Sequence, residues 1–233
     1  MKIEQKKLET FLNKIAMEKS QQIMECVFDF SEKGLKIGAT SPPALARVSG
    51  LLKSNAFKDF KQLDKLGIDN LQEFINVVKR FKGDITIKNE GSLLTLKGTG
   101  KEVDITLADL DFISTEKDDP NLEFDDTFEI PEGKMLDIFS DVKLNTDSAI
   151  TIRTEAKKVL ISNTGKYKFK HVLEAPSCKG GTTSEYGEPL MDAISKLTGK
   201  LEISIKTNYP LRVLEKTEDS IVTVIVAPRV HEE

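Results

Sequence analysis

The sequence has few of the side chains that metal sites, disulfide bonds and catalytic centres use. Its 233 residues include two cysteines, two histidines and no tryptophan. Cys26 and Cys178 have no CxxC spacing and no histidine at ligand spacing, which excludes the usual zinc and disulfide patterns. We therefore interpret both cysteines as inert thiols and expect no metal and no cofactor.

The motifs of common active sites are missing as well. The chain has no GxSxG, no P-loop and no Gly-rich dinucleotide fingerprint, and His171 and His231 do not form a ligand pair. The glycine-rich run 179–184 lacks the P-loop residue order, so we interpret it as a flexible loop. The acidic pairs Asp118-Asp119 and Asp125-Asp126 are interpreted as solvated charges. We expect a protein that is not an enzyme.

Long hydrophobic runs are absent too. No apolar segment approaches the roughly 20 residues of a membrane span, and charged residues stand where a signal peptide has its apolar core. Hydrophobic residues make up 39% of the chain and charged residues 31%, so we expect a globular protein inside the cell. The net charge of -4 at first opposes nucleic-acid binding, but only the positions of the lysines can decide it.

The predicted secondary structure occurs twice along the chain. Apolar residues at helical spacing predict helices over about 6–19 and 70–81, and again over 134–142 and 189–197. Alternating apolar residues predict strands at 26–30, 35–37, 85–88, 93–97 and 103–107, and then at 150–152, 159–161, 201–205, 211–214 and 221–226. Because one order of elements repeats, we predict two tandem domains of one α+β design.

A polar, acidic segment separates the two predicted domains. We place the N-terminal domain at 1–110, an interdomain connecting loop at 111–126 and the C-terminal domain at 127–233. The loop has no helix or strand period. Its apolar residues are unusual for a simple linker, and both an anchoring role and a binding role stay open for them.

Several motifs resemble one known family. The segments ECVFDF at 25–30, GLKI at 34–37 and SPPALA at 41–46 are similar to the first-domain signature of DNA sliding clamps of the proliferating cell nuclear antigen (PCNA) type. The segments YPL at 209–211 and VAPRV at 226–230 resemble their closing strand and tail. The resemblance implies two tandem clamp domains per subunit and three subunits joined head to tail, with helices lining the inner face of a ring and antiparallel sheets outside.

The same resemblance implies a function and partners. A clamp subunit encircles double-stranded DNA without sequence preference, acts as a polymerase processivity factor and is a docking platform for replication and repair enzymes. DNA polymerase, the clamp loader, flap endonuclease and ligase would bind through short clamp-binding peptides, and the chain would self-associate to a trimer. We expect the cytoplasm for an archaeal protein or a virus of a prokaryotic host, and the nucleus for a eukaryotic protein.

Cations away from the apolar stripes of the four helices are the candidate DNA-binding residues: Lys14, Lys19, Lys79, Arg80, Lys82, Lys134, Lys143, Lys196 and Lys200. Contacts from such residues would be to phosphates and would weaken with salt. Ordinary solvated lysines are the alternative. Asp137 and Asp141 on the polar side of the third helix weaken the electrostatic case for the second domain.

The resemblance also implies a partner-peptide pocket and a subunit interface. The pocket residues are Thr40, Ala44, Leu45, Ile113, Pro120, Leu122, Pro210, Leu211, Ile225, Ala227, Pro228 and Arg229. Arg47 stands where the family usually has an aliphatic residue, and Ala44 and Ile225 replace larger types, which predicts an altered peptide preference. The interface edges are 101–109 and 166–173, with the residues Val103, Ile105, Leu107, Tyr167, Phe169 and His171.

Alternatives stay open from the sequence. Alternation of the kind seen at 101–109 and 166–173 also fits ordinary internal strands. A monomeric viral-type polymerase accessory factor would share the two-domain design without closing a ring. A checkpoint or repair clamp subunit would share the ring but serve other partners.

Overall fold

The computed structural model describes residues 1–113, 119–145, 149–163 and 165–229. Asp118, Val230 and His231 lie outside the described residues. The helices are α1 (Gln5–Ala16), α2 (Leu71–Val78), α3 (Lys134–Val142) and α4 (Glu188–Ile194). The strands are β1 (Lys2–Glu4), β2 (Cys26–Ser31), β3 (Gly34–Thr40), β4 (Ala46–Lys53), β5 (Phe57–Lys58), β6 (Leu66–Ile68), β7 (Asp84–Glu90), β8 (Leu93–Gly98), β9 (Lys101–Thr106), β10 (Asp126–Ile130), β11 (Ile150–Glu155), β12 (Lys158–Asn163), β13 (Lys170–Glu174), β14 (Thr183–Tyr186), β15 (Leu201–Ile205), β16 (Leu211–Lys216) and β17 (Ser220–Val226).

The helices form where one face is apolar. Leu8, Phe11 and Ile15 recur three or four residues apart in α1, and all are buried. The side chain of Asn70 caps α2 by accepting a hydrogen bond from the Glu73 amide at 3.0 Å. None of the helices in the described part of the chain is long and apolar enough to cross a membrane.

Three antiparallel sheets contain the strands. The strand orders are β5-β1-β7-β8-β9, then β10-β15-β16-β17-β4-β3-β2-β6, then β13-β12-β11-β14. The eight-stranded sheet takes strands from both halves of the chain, because β17 pairs with β4 from Ser220 opposite Leu52 to Val226 opposite Ala46. The backbone ladder between β17 and β4 therefore joins the two halves.

The two halves repeat one topology, which confirms the predicted α+β class with tandem repeats. The series β1-β7-β8-β9 corresponds to β10-β15-β16-β17, and the series β6-β2-β3-β4 corresponds to β14-β11-β12-β13. The two registers agree as well, with Ile3 opposite Ile85 in the first half and Ile130 opposite Leu201 in the second. The boundaries 1–110, 111–126 and 127–233 remain our proposal for the domains.

Helices α1 and α4 cover the same part of the eight-stranded sheet. Both pack against β4 and β17, and α1 also packs against α2. Gly50 of β4 makes the close approach of α1 possible, since a Cβ there would lie 2.3 Å from Cδ1 of Ile15 and 3.0 Å from the Phe11 ring. One face of this sheet is thus covered by helices.

Asp126, the first residue of β10, holds the glycine-rich segment in place. Its buried carboxylate accepts hydrogen bonds from the Thr154 hydroxyl at 2.5 Å, the Lys179 amide at 2.7 Å and the Gly180 amide at 3.3 Å. The interpretations of Asp126 as a solvated charge and of 179–184 as a flexible loop are therefore wrong. Thr183 and Ser184 belong to a strand, and the preceding amides bind an internal carboxylate.

We expect Asp126→Asn to lower the free energy of unfolding by about 1 to 3 kcal/mol at neutral pH, because the donors lose a charged acceptor. Burial raises the pKa of Asp126, but the hydrogen bonds from Thr154, Lys179 and Gly180 outweigh it and hold the pKa below its ordinary value. A depressed pKa stabilises the folded state above the pKa of the unfolded chain, and this contribution is lost as the pH falls through the folded-state value.

Urea unfolding across pH checks this expectation. The stability difference between the wild type and Asp126→Asn should shrink on acidification below about pH 4. Asp125→Asn, at the exposed neighbouring carboxylate, is the matched control. An equal loss of stability in the control would show that the hydrogen bonds of Asp126 are not the cause.

Candidate DNA-facing and partner-binding surfaces

The C-terminal end of α2 carries the clearest group of free cations. Lys79, Arg80 and Lys82 are exposed, and within the described residues no carboxylate forms an ion pair with any of them. Lys134 at the start of α3 is half-buried, and Lys143 at its end is exposed. These five cations are available to an anionic ligand.

Three further candidate cations, Lys19, Lys196 and Lys200, are partnered by carboxylates. Lys19 lies 3.2 Å from Glu188 and 3.6 Å from Asp192, and Lys196 lies 2.5 Å from Glu18. Lys200 lies 2.6 Å from Glu129. Exposed ion pairs of this kind contribute little and exchange readily with other anions. The carboxylates reduce the positive potential around Lys19, Lys196 and Lys200 without burying these lysines.

Two cavities lie along one face of β17. The larger has a volume of 750 Å³ and is lined by Leu45, Ala227, Pro228 and Arg229 together with the start of α4. The smaller has a volume of 250 Å³ and lies between the interdomain connecting loop 111–126, called the connector below, and the eight-stranded sheet. Pro120, Leu122 and Ile225 are among its lining residues. Ile225 and Ala227 are two positions apart and point to the same face, so the cavities follow one another along the strand.

An ion pair fastens the connector to β4 beside the smaller cavity. The Arg47 guanidinium donates to Asp119 at 2.9 Å and to the Thr40 hydroxyl at 3.2 Å, and the Ser49 hydroxyl donates to Asp119 at 2.5 Å. The Phe124 ring packs edge to face on Tyr209 at 6.2 Å. The connector is thus attached at both sides of this cavity.

Strands β9 and β13 each lie at the end of a sheet. In β9 the half-buried Val103 and Ile105 alternate with exposed Glu102 and Asp104. In β13 the half-buried His171 and Leu173 alternate with exposed residues, and Nε2 of His171 lies 2.9 Å from Oδ2 of Asp141 in α3. Among the residues that the structure describes, no strand pairs with the outer row of backbone groups of either strand.

Comparison with known proteins relates this arrangement to one family. The chain is 24% identical to the DNA polymerase sliding clamp of Nanoarchaeum equitans over 239 residues, which cover 94% of this chain and 95% of that protein. It is 21% identical to the sliding clamp of Methanococcus maripaludis strain C7 over 240 residues, covering 93% and 94%. A scan against protein-family models finds no match.

The chain is similar over nearly its whole length to sliding clamps of the PCNA type. Solved structures show the same fold: A. fulgidus PCNA bound to the C-terminal region of FEN-1 has a TM-score of 0.88 at 22% identity, covering 100% of this chain and 98% of that chain. PCNA from Entamoeba histolytica has a TM-score of 0.82 at 20% identity, covering 98% of both chains. A PCNA2-PCNA3 complex from Sulfolobus tokodaii has a TM-score of 0.78 at 20% identity, covering 98% and 99%.

Lys14 is buried and does not lie with the exposed candidate cations. Its side chain is only 7% exposed and forms an ion pair with Glu215 of β16, which is 1% exposed and also accepts from the Gly199 amide at 2.8 Å. The helical pattern placed Lys14 beside the apolar stripe of α1. Its ion-pair partner, Glu215, lies in the other half of the chain. The structure therefore removes Lys14 from the candidate DNA-binding set.

Two predicted pocket residues are buried in the single chain. Leu211 is fully buried on the core face of β16, and Ile113, at the start of the connector, packs close to Gly67. Neither lines the two cavities described above. Thr40 accepts a hydrogen bond from Arg47, and Ala44 directly precedes Leu45 in the sequence. Pro210, half-buried beside Tyr209, does not line either cavity described above.

The second predicted edge strand is shorter in the structure than the range 166–173. Tyr167 and Phe169 precede β13, and asparagine side chains hold this segment: the Tyr167 amide donates to Asn145 at 2.8 Å, and the Phe169 amide donates to Asn163 at 2.7 Å. Leu107 follows β9, and its amide donates to the Ser92 carbonyl at 2.9 Å. All six predicted interface residues therefore lie on or next to the two edges.

Sequence reasoning missed Asp119, Phe124 and Arg212. Arg212 stacks over the Phe124 ring, with 4.9 Å between the guanidinium carbon and the ring centroid, and both contribute to the attachment of the connector. Arg47, which departs from the family pattern, could have indicated a nearby carboxylate such as Asp119, because a largely buried guanidinium needs a negatively charged partner. Nothing local in the sequence indicated the Phe124 contact.

Neither a metal-ligand cluster nor a reactive thiol is found in the described part of the chain. Within the described residues, no three His, Cys, Asp or Glu side chains converge on a position that could hold a metal. Burial raises the pKa of Cys178 to about 11 and raises that of Cys26 further. Thiols with such pKa values are protonated at neutral pH and are poor nucleophiles.

Proposed function

We propose that this chain is the subunit of a ring that encircles duplex DNA, acts as a processivity factor for DNA polymerase and docks replication and repair enzymes. The observation that best supports this proposal is that β17 and β4 pair within the chain. The corresponding strands of the repeat, β9 and β13, each lie at the end of a sheet. A second copy can therefore repeat the internal junction between chains. The proposed scaffold has no catalytic activity of its own.

Pairing of β9 with β13 of another copy is a head-to-tail contact. Such contacts close into a ring when the rotation per subunit divides a full turn. The family resemblance implies three subunits. Closure would also remove both open edges, which otherwise favour aggregation.

The proposed DNA contact uses the helix cations, with Lys14 excluded. Lys79, Arg80 and Lys82 supply the strongest free charge, and Lys134 and Lys143 add to it. Lys19, Lys196 and Lys200 would exchange their carboxylate partners for phosphates. Contacts of this kind carry no base information and hold duplex DNA of any sequence.

The proposed partner site is the pair of cavities along β17. A short peptide with apolar side chains would place them against Leu45, Pro228 and Ile225, and the connector would cover part of the peptide. The structure of A. fulgidus PCNA with the C-terminal region of FEN-1 supports a flap endonuclease as one partner. DNA polymerase, the clamp loader and ligase are further proposed partners.

A protein with the proposed role acts in the cellular compartment that contains the DNA. For an archaeal cell or a prokaryotic virus this compartment is the cytoplasm, and for a eukaryotic cell it is the nucleus.

Topological retention on DNA tests the proposed function. The protein is added to duplex DNA attached to a bead at one end, the free end is then blocked with streptavidin, and the bead is washed at high salt. A ring stays on blocked DNA after phosphate contacts are lost and leaves when the duplex is cut. Equal loss from blocked and open DNA would overturn the proposed function and favour a monomeric accessory factor.

We expect Lys79→Ala/Arg80→Ala to weaken low-salt binding to duplex DNA without changing the mass of the assembly. The slope of log K against log salt should fall in magnitude by about 1.8 per contacting subunit, at about 0.9 per lost phosphate contact. Lys36→Ala/Arg153→Ala removes the same charges from exposed strand positions and is the matched control. An equal change of slope in both variants would contradict a DNA-facing role for the end of α2.

A further inference from the structure

The smaller cavity along β17 has an arginine in its wall. Arg212 and Leu214 of β16 line it from the sheet together with Thr223 and Ile225 of β17, and residues 119–122 line it from the connector. Arg212 lies directly opposite Ile225 in the ladder between the two strands, so both side chains lie on the same face of the sheet. The cavity thus combines apolar side chains with a cation.

The hydrogen bonds of Arg212 are incomplete. One terminal nitrogen of its guanidinium donates to the Ser204 hydroxyl at 3.0 Å, and the guanidinium carbon lies 4.9 Å from the centre of the Phe124 ring. Nε is excluded from solvent and has no acceptor among the described residues. Buried donors in folded proteins nearly always have an acceptor, because a donor without one loses its hydration and gains nothing in return. Nε of Arg212 therefore lacks an acceptor.

The positive charge of Arg212 also lacks a partner. Within the described residues no carboxylate lies within ion-pairing distance of its guanidinium, although the side chain is half-buried. Glu123 and Asp125 lie on either side of Phe124 in the connector, and both are exposed. The Phe124 ring attracts the cation but cannot replace a carboxylate as an acceptor. A guanidinium withdrawn from water in this way is expected to have a negatively charged partner.

Asp119 does not supply this negative charge, because its carboxylate is already bound to the sheet. One oxygen accepts from Nε of Arg47 at 2.9 Å, and the other accepts from the Ser49 hydroxyl at 2.5 Å. The smaller cavity and its border therefore contain two guanidinium groups and one carboxylate. One further negative charge would balance them.

A carboxylate matches what Arg212 lacks. Its two oxygens fit the planar guanidinium and can accept from Nε and a terminal nitrogen together. Hydrogen bonds between charged groups are stronger than neutral ones, and they strengthen away from bulk water. An amide of the same size has one acceptor oxygen and no charge. The cavity therefore favours a carboxylate over an amide.

We propose that the peptide bound along β17 carries an acidic side chain, which enters the smaller cavity and pairs with Arg212. The inference rests on the proposed partner site and adds the chemistry of its ligand. The apolar side chains of the peptide occupy the larger cavity beside Leu45 and Pro228, and the carboxylate lies further along the strand beside Ile225. Arg212 is then the residue that sets a preference for an acid.

Substitution along one peptide tests the inference. The probe is a synthetic peptide of the FEN-1 C-terminal region that binds A. fulgidus PCNA. Each polar position of the peptide is replaced in turn by glutamate and, separately, by glutamine, and both forms are titrated into the full chain by calorimetry. At one position or two neighbouring positions, the glutamate form should bind about tenfold or more tightly than the glutamine form, as expected for a hydrogen bond between charged groups.

Two variants show whether Arg212 causes the preference. Arg212→Met keeps a long unbranched side chain without the charge, and should bring the ratio of the two affinities to about one. Arg212→Glu reverses the charge, so a lysine form of the peptide should bind this variant more tightly than the glutamate form. Because each readout is a ratio within one variant, a general loss of stability or affinity does not imitate it.

The matched control is Lys36→Met. Lys36 is an exposed cation of β3 in the same sheet, and it does not line either cavity along β17. Its replacement should leave the preference for glutamate unchanged. A preference that depends only on the net charge of the protein would fall in this variant as much as in Arg212→Met.

The outcomes separate this inference from the proposed function. Equal binding of the glutamate and glutamine forms at every position overturns the acidic preference and leaves the proposed partner site intact. A preference that persists in Arg212→Met, or that falls equally in Lys36→Met, overturns the role of Arg212. If no form of the peptide binds, the proposed partner site is overturned together with this inference.

Discussion

Replacing Lys14 by alanine should lower the free energy of unfolding by about 3 to 5 kcal/mol, because it leaves the buried Glu215 carboxylate without its charged partner. Glu215 is 1% exposed and retains only the hydrogen bond from the Gly199 amide at 2.8 Å. Lys14 lies in α1 and Glu215 in β16, so the variant also weakens the contact between the two halves. Urea unfolding at a fixed protein concentration measures the effect, since association adds to apparent stability.

Two further variants show whether the ion pair is the cause. Lys6→Ala removes an exposed lysine from the same helix and should change stability by less than about 0.5 kcal/mol. Lys14→Met/Glu215→Met removes both charges while keeping similar volumes, and should recover most of the loss. A double variant as unstable as Lys14→Ala would show that packing around the lysine stem, and not the unpaired charge, explains the result.

Replacing Leu45 by serine should weaken binding of a clamp-binding peptide by about 10- to 100-fold. Leu45 is 42% exposed in the wall of the 750 Å³ cavity, and a peptide side chain placed there would bury it. Burying a leucine side chain contributes about 1.5 to 3 kcal/mol, which corresponds to this range of affinity. Calorimetry with a synthetic peptide of the FEN-1 C-terminal region that binds A. fulgidus PCNA measures the change.

The control for this variant is Met24→Ser. Met24 is 47% exposed and does not line either of the two cavities along β17. Its replacement should leave peptide affinity and ring mass unchanged. If Leu45→Ser binds as tightly as the wild type, the peptide does not use the larger cavity.

The connector offers a reason for a distinct peptide preference. Arg47 lies beside the smaller cavity, and its partner at 2.9 Å is Asp119 of the connector, which lines that cavity. A peptide that reaches the smaller cavity meets this ion pair and must be compatible with it. The sequence showed that Arg47 departs from the family pattern, but only the structure supplies its partner.

Elements with a strong local pattern were predicted most closely. The helix Lys134–Val142 and the strand Leu201–Ile205 have the predicted bounds, because each has apolar residues at one clear period. Strands β4 and β10 were not predicted. Gly50 interrupts the apolar alternation of β4, and Asp126 begins β10 with an acid whose hydrogen-bond donors come from a distant loop.

The candidate site was predicted only in part, because local periodicity does not give the exposure of a side chain. Lysines off the apolar stripe of a helix can be identified from their spacing, but whether each is exposed to solvent depends on the elements that pack beside it. Lys79 and Arg80 are exposed, whereas Lys14 is buried by a strand about 200 positions later in the chain. Leu211 similarly alternates to the core side of its strand, which the Pro210 motif alone does not indicate.

The sequence by itself determined the order of elements and their repetition, since these depend on residue types and short-range periods. Tertiary structure decided which strands are joined and which remain open. The pairing of β17 with β4 consists of backbone hydrogen bonds between segments far apart in sequence, and backbone groups are the same at every position. That pairing leaves β9 and β13 at the ends of their sheets and places Glu215 where it buries Lys14.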